Sequence, residues 1–261
     1  MLRSPIQPRT VRRFPATTAF AFILTCVSAL TTPPFLQPAN ADLPSPFLSG
    51  ALEVWSGGEM TRGTRGAWTG MNWAPLGKIE DPGFRVRFAG GSGQYRTDDK
   101  QMGQSLSIYG TSAFADLLVG YQWSLGATTL KLFAGGTFNG QLQVATSDAY
   151  PEIATATGAK VVAEAWINIT PETFAQIDLS AATAHRSYTS RVRYGYRLTR
   201  AIALGLEGGS IGSEEGRTLR AGLFARYEWL GGEISASGGL ASDDSAVRRT
   251  PYGGLVYLKR Y

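Results

Sequence analysis

The chain has 261 residues, including 32 glycines, 11 tyrosines and 6 tryptophans. Its formal net charge is +5, but residues 1–41 hold four of the 25 Lys and Arg residues and none of the 20 Asp and Glu residues. The other 220 residues therefore carry a net charge of +1, which leaves no electrostatic argument for nucleic-acid binding. High glycine with many aromatic residues disfavours a helical protein, and no segment after residue 41 approaches the roughly 18 consecutive apolar residues of a membrane helix.

Residues 1–41 are predicted to be a secretory signal peptide. Four arginines precede the apolar run 17–30, which is too short to span a bilayer, and Ala39-Asn40-Ala41 fits a cleavage site. The prolines at 33, 34 and 38 disfavour an uncleaved anchor helix. Lipidation of Cys26 is disfavoured because the residue before it is threonine, where a lipoprotein normally has glycine or alanine. Cys26 is the sole cysteine, so the mature chain 42–261 is expected to have no disulfide and no thiol chemistry.

Twelve later segments alternate between apolar and polar side chains, which is the pattern of a strand with one apolar face. In the clearest segment the odd positions from Leu219 to Trp229 are apolar, whereas the even positions include Arg220, Arg226 and Glu228. In chain order the predicted strands are 47–57, 64–74, 83–95, 113–124, 127–138, 158–169, 172–184, 187–198, 201–210, 218–229, 232–241 and 249–261.

Strands of this length and number predict an all-β fold: an antiparallel, up-and-down, outer-membrane β-barrel of about twelve strands in contact with lipid. Tight turns alternate with the longer polar stretches 96–112, 139–157, 211–217 and 242–248, as expected for periplasmic turns and external loops. The stretch 75–82 is a long exception on the turn side, and 185–186 is a short one on the loop side. A water-soluble β-sandwich or barrel stays open as an alternative, because alternation does not say which face points outward.

The polar faces of these strands carry charges of both signs. Buried charges must pair, so the simpler interpretation is a ladder of ion pairs that fills the interior, and the other is an open, charge-selective lumen. The candidate lumen charges are Arg85, Arg87, Lys131, Lys160, Glu164, Asp178, Arg191, Arg193, Arg197, Glu207, Arg220, Arg226, Glu228 and Glu233.

Little in the sequence indicates catalysis. His185 and Ser187 form a His-x-Ser pair of the kind used by some outer-membrane lipid A deacylases, in which histidine activates serine. Strand parity places His185 on the lipid side, but no carboxylate is clearly placed to orient its ring. One histidine and no mature cysteine predict that the chain has no metal-ligand cluster, and no cofactor is expected. The expectation is therefore a protein that is not an enzyme, with a lipid hydrolase or a small-solute pore as alternatives.

Several short segments, in order and spacing, resemble the BcsS-type cellulose biosynthesis proteins of bacteria. They are 47–53, 82–88, 91–96, 120–123, 128–132, 158–164, 186–188, 195–197, 205–208 and 220–222. The resemblance implies a non-enzymatic outer-membrane accessory of cellulose biosynthesis, export or assembly. Its expected partners are membrane lipid, cellulose and other components of the cellulose-synthase complex. Sugar polymers slide over aromatic faces, so Trp68, Trp73 and Tyr95 are candidate glucan contacts if they line the opening.

Overall fold

The computed structural model describes residues 50–101, 104–145, 152–214, 216–243 and 249–261. The predicted signal peptide lies outside the described residues. All twelve predicted strands are present, and Ala184–Arg186 form a turn of 3-10 helix. Their bounds are β1 Leu52–Thr61, β2 Thr64–Trp73, β3 Gly83–Gln101, β4 Gln104–Leu125, β5 Thr128–Ala145, β6 Glu152–Asn168, β7 Thr173–Ala182, β8 Tyr188–Arg197, β9 Ile202–Ser213, β10 Gly216–Trp229, β11 Gly232–Asp243 and β12 Arg249–Arg260. No helix in these ranges is long and apolar enough to cross a bilayer.

The strands form one closed, antiparallel barrel. Each strand pairs with its neighbours in sequence, and β1 pairs with β12 from Glu53↔Arg260 to Thr61↔Tyr252. Closure pairs the backbone groups that an open sheet would leave at its edges, which is the condition for a sheet inside lipid. The predicted up-and-down barrel of about twelve strands is confirmed.

The apolar face of the strands points outward. On β10, Leu223 is 63% exposed and Tyr227 is 51% exposed, whereas Arg226 between them is only 3% exposed. A soluble barrel has the opposite arrangement, with apolar side chains inside and charges outside. The alternative of a water-soluble barrel is therefore wrong, because the large exposed side chains of nearly every strand are apolar and match a lipid-facing surface.

One end of the barrel, here called the turn end, has short connections at 126–127, 169–172, 198–201 and 230–231, together with the longer segment 74–82. Outward aromatic side chains cluster there. The ring centroids of Tyr121 and Trp123 are 4.8 Å apart, and Trp229 lies 5.9 Å from both Tyr227 and Tyr257. Such rings sit at the boundary between hydrocarbon and head groups, so they form the aromatic girdle of a membrane barrel.

The opposite end, here called the loop end, differs from the prediction. Much of the stretches 96–112 and 139–157 is strand rather than loop, because β3 and β4 pair as far as Gln101↔Gln104 although the pairing of β2 with β3 stops at Thr64↔Tyr95. Strands β5 and β6 pair as far as Gln143↔Glu152. Strands β3 to β6 therefore extend beyond their neighbours as a four-stranded wall. The prediction missed this wall because its polar sequence is also typical of a loop.

Candidate functional site

The predicted lumen charges lie on the inward face of the barrel, and most of them form ion pairs there. On β7 and β8, Arg191 donates to Asp178 over 2.8 Å, which joins adjacent strands along the wall. On β10, Arg226 lies between Glu228 at 3.5 Å and Glu233 at 3.8 Å. The interior thus compensates its charges locally, as buried ions require.

Several ion pairs cross the interior instead of following the wall. Arg87 on β3 donates through both terminal nitrogens to Glu164 on β6, at 2.6 and 2.8 Å. Lys131 on β5 lies 3.5 Å from Glu53 on β1. A further pair joins Arg220 on β10 to Glu59 on β1. Because these strands are three or four positions apart around the barrel, the pairs act as struts across it.

The most enclosed pair is Arg193 with Glu207. Their side chains are only 4% and 1% exposed, and Arg193 Nε lies 2.6 Å from Glu207 Oε2. The Tyr252 hydroxyl donates to the other carboxylate oxygen over 3.2 Å, and the Arg193 guanidinium lies 4.9 Å from the centre of the Phe224 ring. Both oxygens of the carboxylate are therefore hydrogen-bonded, which offsets the cost of burying its charge.

A cluster of Trp166, Phe174 and Phe224 lies inside the barrel and was not predicted. Phe174 is fully buried, stacks on Trp166 at 4.5 Å and lies 6.2 Å from Phe224. The Arg226 guanidinium is 4.7 Å from the Trp166 ring, close enough for a cation–π interaction. Strand parity could have predicted these positions, because Phe174 lies on the same strand face as Gln176, and Phe224 on the same face as Arg226.

The segment 74–82, the long exception on the turn side, folds inward and forms a cap over the turn end. Ile79 is only 4% exposed. Arg85 donates to the carbonyl oxygens of Lys78 and Ile79, at 3.1 and 3.2 Å, and also to that of Asp81. Gln122 donates to the Asp81 carbonyl over 3.1 Å. Arg85 therefore anchors this cap through backbone oxygens, a role that the ion-pair interpretation did not anticipate.

A cavity of about 500 Å³ lies in the turn half of the interior, between the cap and the crossing ion pairs. Its walls include Ile79 and Glu80 of the cap, the rings of Trp55 and Trp166, and charged groups of both signs. This is the size of a site for a small molecule. Within the part of the chain that the structure describes, no group of three or more His, Cys, Asp and Glu side chains could hold a metal ion.

The three candidate glucan contacts do not share one face. Trp68 lies on the inward face of β2, the face that carries buried Asn72, and Tyr95 points inward and accepts a hydrogen bond from Gln143 over 2.8 Å. Trp73 has the opposite parity to Asn72 and is 40% exposed on the outer surface. Trp73 therefore does not line the opening, as a glucan contact would have to, and it lies instead in the aromatic girdle.

The His-x-Ser pair is not arranged as a nucleophile and its base. Strand β7 ends at Ala182, and His185 lies in the 3-10 turn with a φ of 53°, so strand parity does not extend to it. The Ser187 hydroxyl donates to the carbonyl of Ala184 over 3.2 Å. The interaction of Ser187 is that of a residue closing a turn.

The sequence compares clearly with one family. The model of the cellulose biosynthesis protein BcsS family matches residues 53–261, which span the barrel from β1 to the last residue. The chain belongs to the BcsS family. No functionally curated protein matches it significantly in sequence. The expected family resemblance is confirmed, and it makes this barrel a member of a family named for cellulose biosynthesis.

Solved structures of similar shape are barrels of the outer membrane. The transport unit of the autotransporter AIDA-I from Escherichia coli is 10% identical to this BcsS-family chain with a TM-score of 0.52, and the match covers 96% of this chain and 100% of that one. The translocator domain of autotransporter NalP from Neisseria meningitidis is 12% identical with a TM-score of 0.46, covering 94% and 96%. The KdgM porin in complex with disordered oligogalacturonate is 10% identical with a TM-score of 0.45, covering 80% and 99%. At these identities the likeness concerns the fold alone.

Proposed function

We propose that this BcsS-family protein is a non-enzymatic outer-membrane accessory of bacterial cellulose production, which assists the export or assembly of cellulose at the cell surface. In this proposal residues 1–41 direct export and are removed. Family membership over residues 53–261 carries the proposal. The outward apolar face and the aromatic girdle support a position in a bilayer.

The interior favours assembly over a wide polymer conduit. Struts such as Arg87–Glu164 cross the barrel, and the cap 74–82 covers part of the turn end. A polymer passing through would have to break buried ion pairs, each of which leaves an unpaired charge at high cost. We therefore assign the protein a role in which cellulose is handled at the loop end and the turn half serves as a rigid base.

The lipid A hydrolase alternative receives less support. The Ser187 hydroxyl is engaged by the carbonyl of Ala184, and nucleophilic catalysis needs a base within hydrogen-bond reach of that hydroxyl. A small-solute pore is the second alternative, because the cavity of about 500 Å³ could pass water or ions if the cap moved.

Complementation of a deletion strain tests the function. Loss of the gene is expected to reduce or disorganise extracellular cellulose, and a Ser187→Ala copy is expected to restore it fully, because a turn hydroxyl contributes little to shape. Replacing Arg191, Arg193 and Arg197 together by Ala is expected to fail, because inward carboxylates lose their partners. Cellulose-dye binding and lipid A composition are measured in the same strains. A change in lipid A acylation that disappears with Ser187→Ala would establish the hydrolase instead.

Location and conductance are tested separately. The mature protein is expected in the outer-membrane fraction, with a mobility on gels that changes on heating, as a stable barrel requires. Recovery in the soluble periplasm would contradict the proposal. In planar lipid bilayers the purified protein is expected to conduct poorly while the cap and the struts are intact, and a large steady conductance would favour the pore.

A further inference from the structure

The loop half of the interior contains an inward surface whose described side chains are uncharged. It is formed by β2 to β5, and it is here called the aromatic–amide surface. Its members are Trp68, Tyr95, Phe114, Asn139, Gln141 and Gln143. Backbone register places Trp68 opposite Gly91, Gly91 opposite Phe114, and Phe114 opposite Asn139. Three of the six side chains therefore lie on one register row of the sheet, and the other three lie on rows nearer the loop end.

The aromatic rings of this surface lie against the wall because glycines face them. A Cβ atom added at Gly110 would come within 2.1 Å of the Tyr95 ring, and one added at Gly57 within 2.9 Å of the Trp68 ring. Each of these two rings therefore packs against the backbone of a neighbouring strand, on the inward face of the barrel. Flat rings of this kind are suited to stacking against a flat ligand, and they cost little conformational entropy on binding.

The amide groups stand on alternate residues of β5, so all three point the same way. Gln143 Nε2 donates to the Tyr95 hydroxyl over 2.8 Å, which fixes the upper edge of the surface. The side chains of Asn139 and Gln141 make no hydrogen bond to any described part of the chain. Each amide offers two N–H donors and a carbonyl acceptor, so these two groups are available to hydroxyl groups of a ligand.

The described charges beside this surface are already paired with one another. Lys160 Nζ lies 2.6 Å from Asp116 below Phe114, and Arg220 is paired with Glu59. Among the described side chains a charged ligand would therefore find no uncompensated partner, whereas a ligand with apolar faces and many hydroxyl groups would match both the rings and the amides.

We propose that the aromatic–amide surface binds a neutral glucan chain of the cellulose type. The apolar faces of the sugar rings stack on Trp68 and Tyr95, and the hydroxyl groups bond to Asn139 and Gln141. This inference rests on the proposed function, because the family supplies the polymer. It extends that function by locating the polymer on the inner side of β2 to β5, on the loop side of the Arg87–Glu164 pair.

The test measures binding of soluble cello-oligosaccharides to full-length mature protein in detergent micelles by isothermal titration calorimetry. Trp68→Ala is expected to weaken binding about tenfold or more, the effect of removing a buried anchor residue. The matched control is Trp73→Ala, which removes a tryptophan of the same strand from the outer surface and is expected to leave affinity unchanged. Heat-modifiable mobility confirms that each variant has folded.

A second variant, Gln141→Ala, keeps the test valid if Trp68→Ala does not fold, and it is expected to weaken binding several-fold. Equal affinity in the Trp68→Ala, Gln141→Ala and Trp73→Ala variants would overturn the assignment of this surface. Tighter binding of an anionic polyuronate oligosaccharide would overturn the neutral-glucan assignment. If the purified wild-type protein binds no cello-oligosaccharide, this inference is wrong. The proposed function would still stand if deletion of the gene reduces extracellular cellulose.

Discussion

The two halves of the barrel interior are built on different principles. In the turn half, ion pairs such as Arg87–Glu164 join strands that are not neighbours, and arginines lie over aromatic rings. In the loop half, the described inward side chains of β2 to β5 are uncharged rings and amides, and the crossing pair Arg220–Glu59 lies beside them. Groups that satisfy one another hold a shape, whereas the amides of Asn139 and Gln141, which make no hydrogen bond within the described chain, can bind a ligand. The difference assigns rigidity to the turn half and recognition to the loop half.

The largest effect is expected from breaking an ion pair in the turn half. Arg193→Ala leaves Glu207 buried without its cation, so it should lower the free energy of unfolding by about 3–5 kcal/mol. Urea unfolding of the protein refolded in micelles measures the loss. The double variant Arg193→Met with Glu207→Met removes both charges and should lose far less. A double variant as unstable as the single one would mean that packing, not charge pairing, holds this half.

The difference between the turn half and the loop half is expected to be confined to the inner face of the barrel, and the outer face should behave as one lipid-facing surface. Leu223→Arg puts a charge on the outer surface of β10 and should cost about 2–4 kcal/mol near the bilayer midplane, and assembly into lipid vesicles reports it. The inward neighbour gives the control, since Arg226→Leu changes size and charge but leaves the lipid surface intact. A spin label at position 223 should be reached by oxygen dissolved in lipid. A label shielded from both lipid and water would contradict the outward assignment.

A smaller effect should follow from loosening the cap. Arg85→Ala removes the donor to the carbonyls of Lys78 and Ile79, at a cost of about 1–3 kcal/mol for polar groups left unsatisfied. Single-channel recordings should then show more frequent or larger conductance. Arg65→Ala is the matched control, because Arg65 bonds to exposed Gln94 near the loop end. Unchanged conductance in the Arg85 variant would mean that the crossing ion pairs alone close the barrel.

The smallest effect on stability is expected at the loop half. Gly110→Ala would place a methyl group against the far end of the Tyr95 side chain, which can swing away, so the loss should stay below about 1 kcal/mol. Cello-oligosaccharide binding should nevertheless weaken, because the ring leaves the wall. At Gly136 an added methyl meets nothing within 4 Å, and Gly136→Ala should change neither quantity. Unaltered binding in the Gly110 variant would remove Tyr95 from the recognition surface.

Alternation of side chains was enough to predict twelve strands and the closed barrel, because a period of two residues depends only on the two faces of each strand. It also placed charges such as Arg226 and Glu207 on the face that proved to be the inside. The wall of β3 to β6 was missed, because the sequence of its outer parts is mostly polar and alternates between apolar and polar residues only over short runs. The signal peptide and the glucan contacts stay predictions.

The cap and the internal aromatic rings depend on contacts between distant parts of the chain. Nothing local in 75–82 indicates that Arg85 and Gln122 draw its backbone inward. Phe174 and Phe224 likewise read as lipid-facing by residue type, and only their parity with Gln176 and Arg226 contradicts this. Residue type and parity disagree at these positions because the arginines inside the barrel need aromatic faces as well as carboxylates.

The seam between β1 and β12 has a consequence for the order of folding. Arg260 Nε lies 3.1 Å from Glu53, a partner 207 positions earlier in the chain. Contacts of such separation form slowly, because the entropy of the intervening chain must be lost before they stabilise anything. Until β1 and β12 pair, the sheet has two open edges, which attract other strands. Assembly of this barrel therefore ends with the closure of this seam, and a chain cut before Tyr252 would stay open and prone to aggregation.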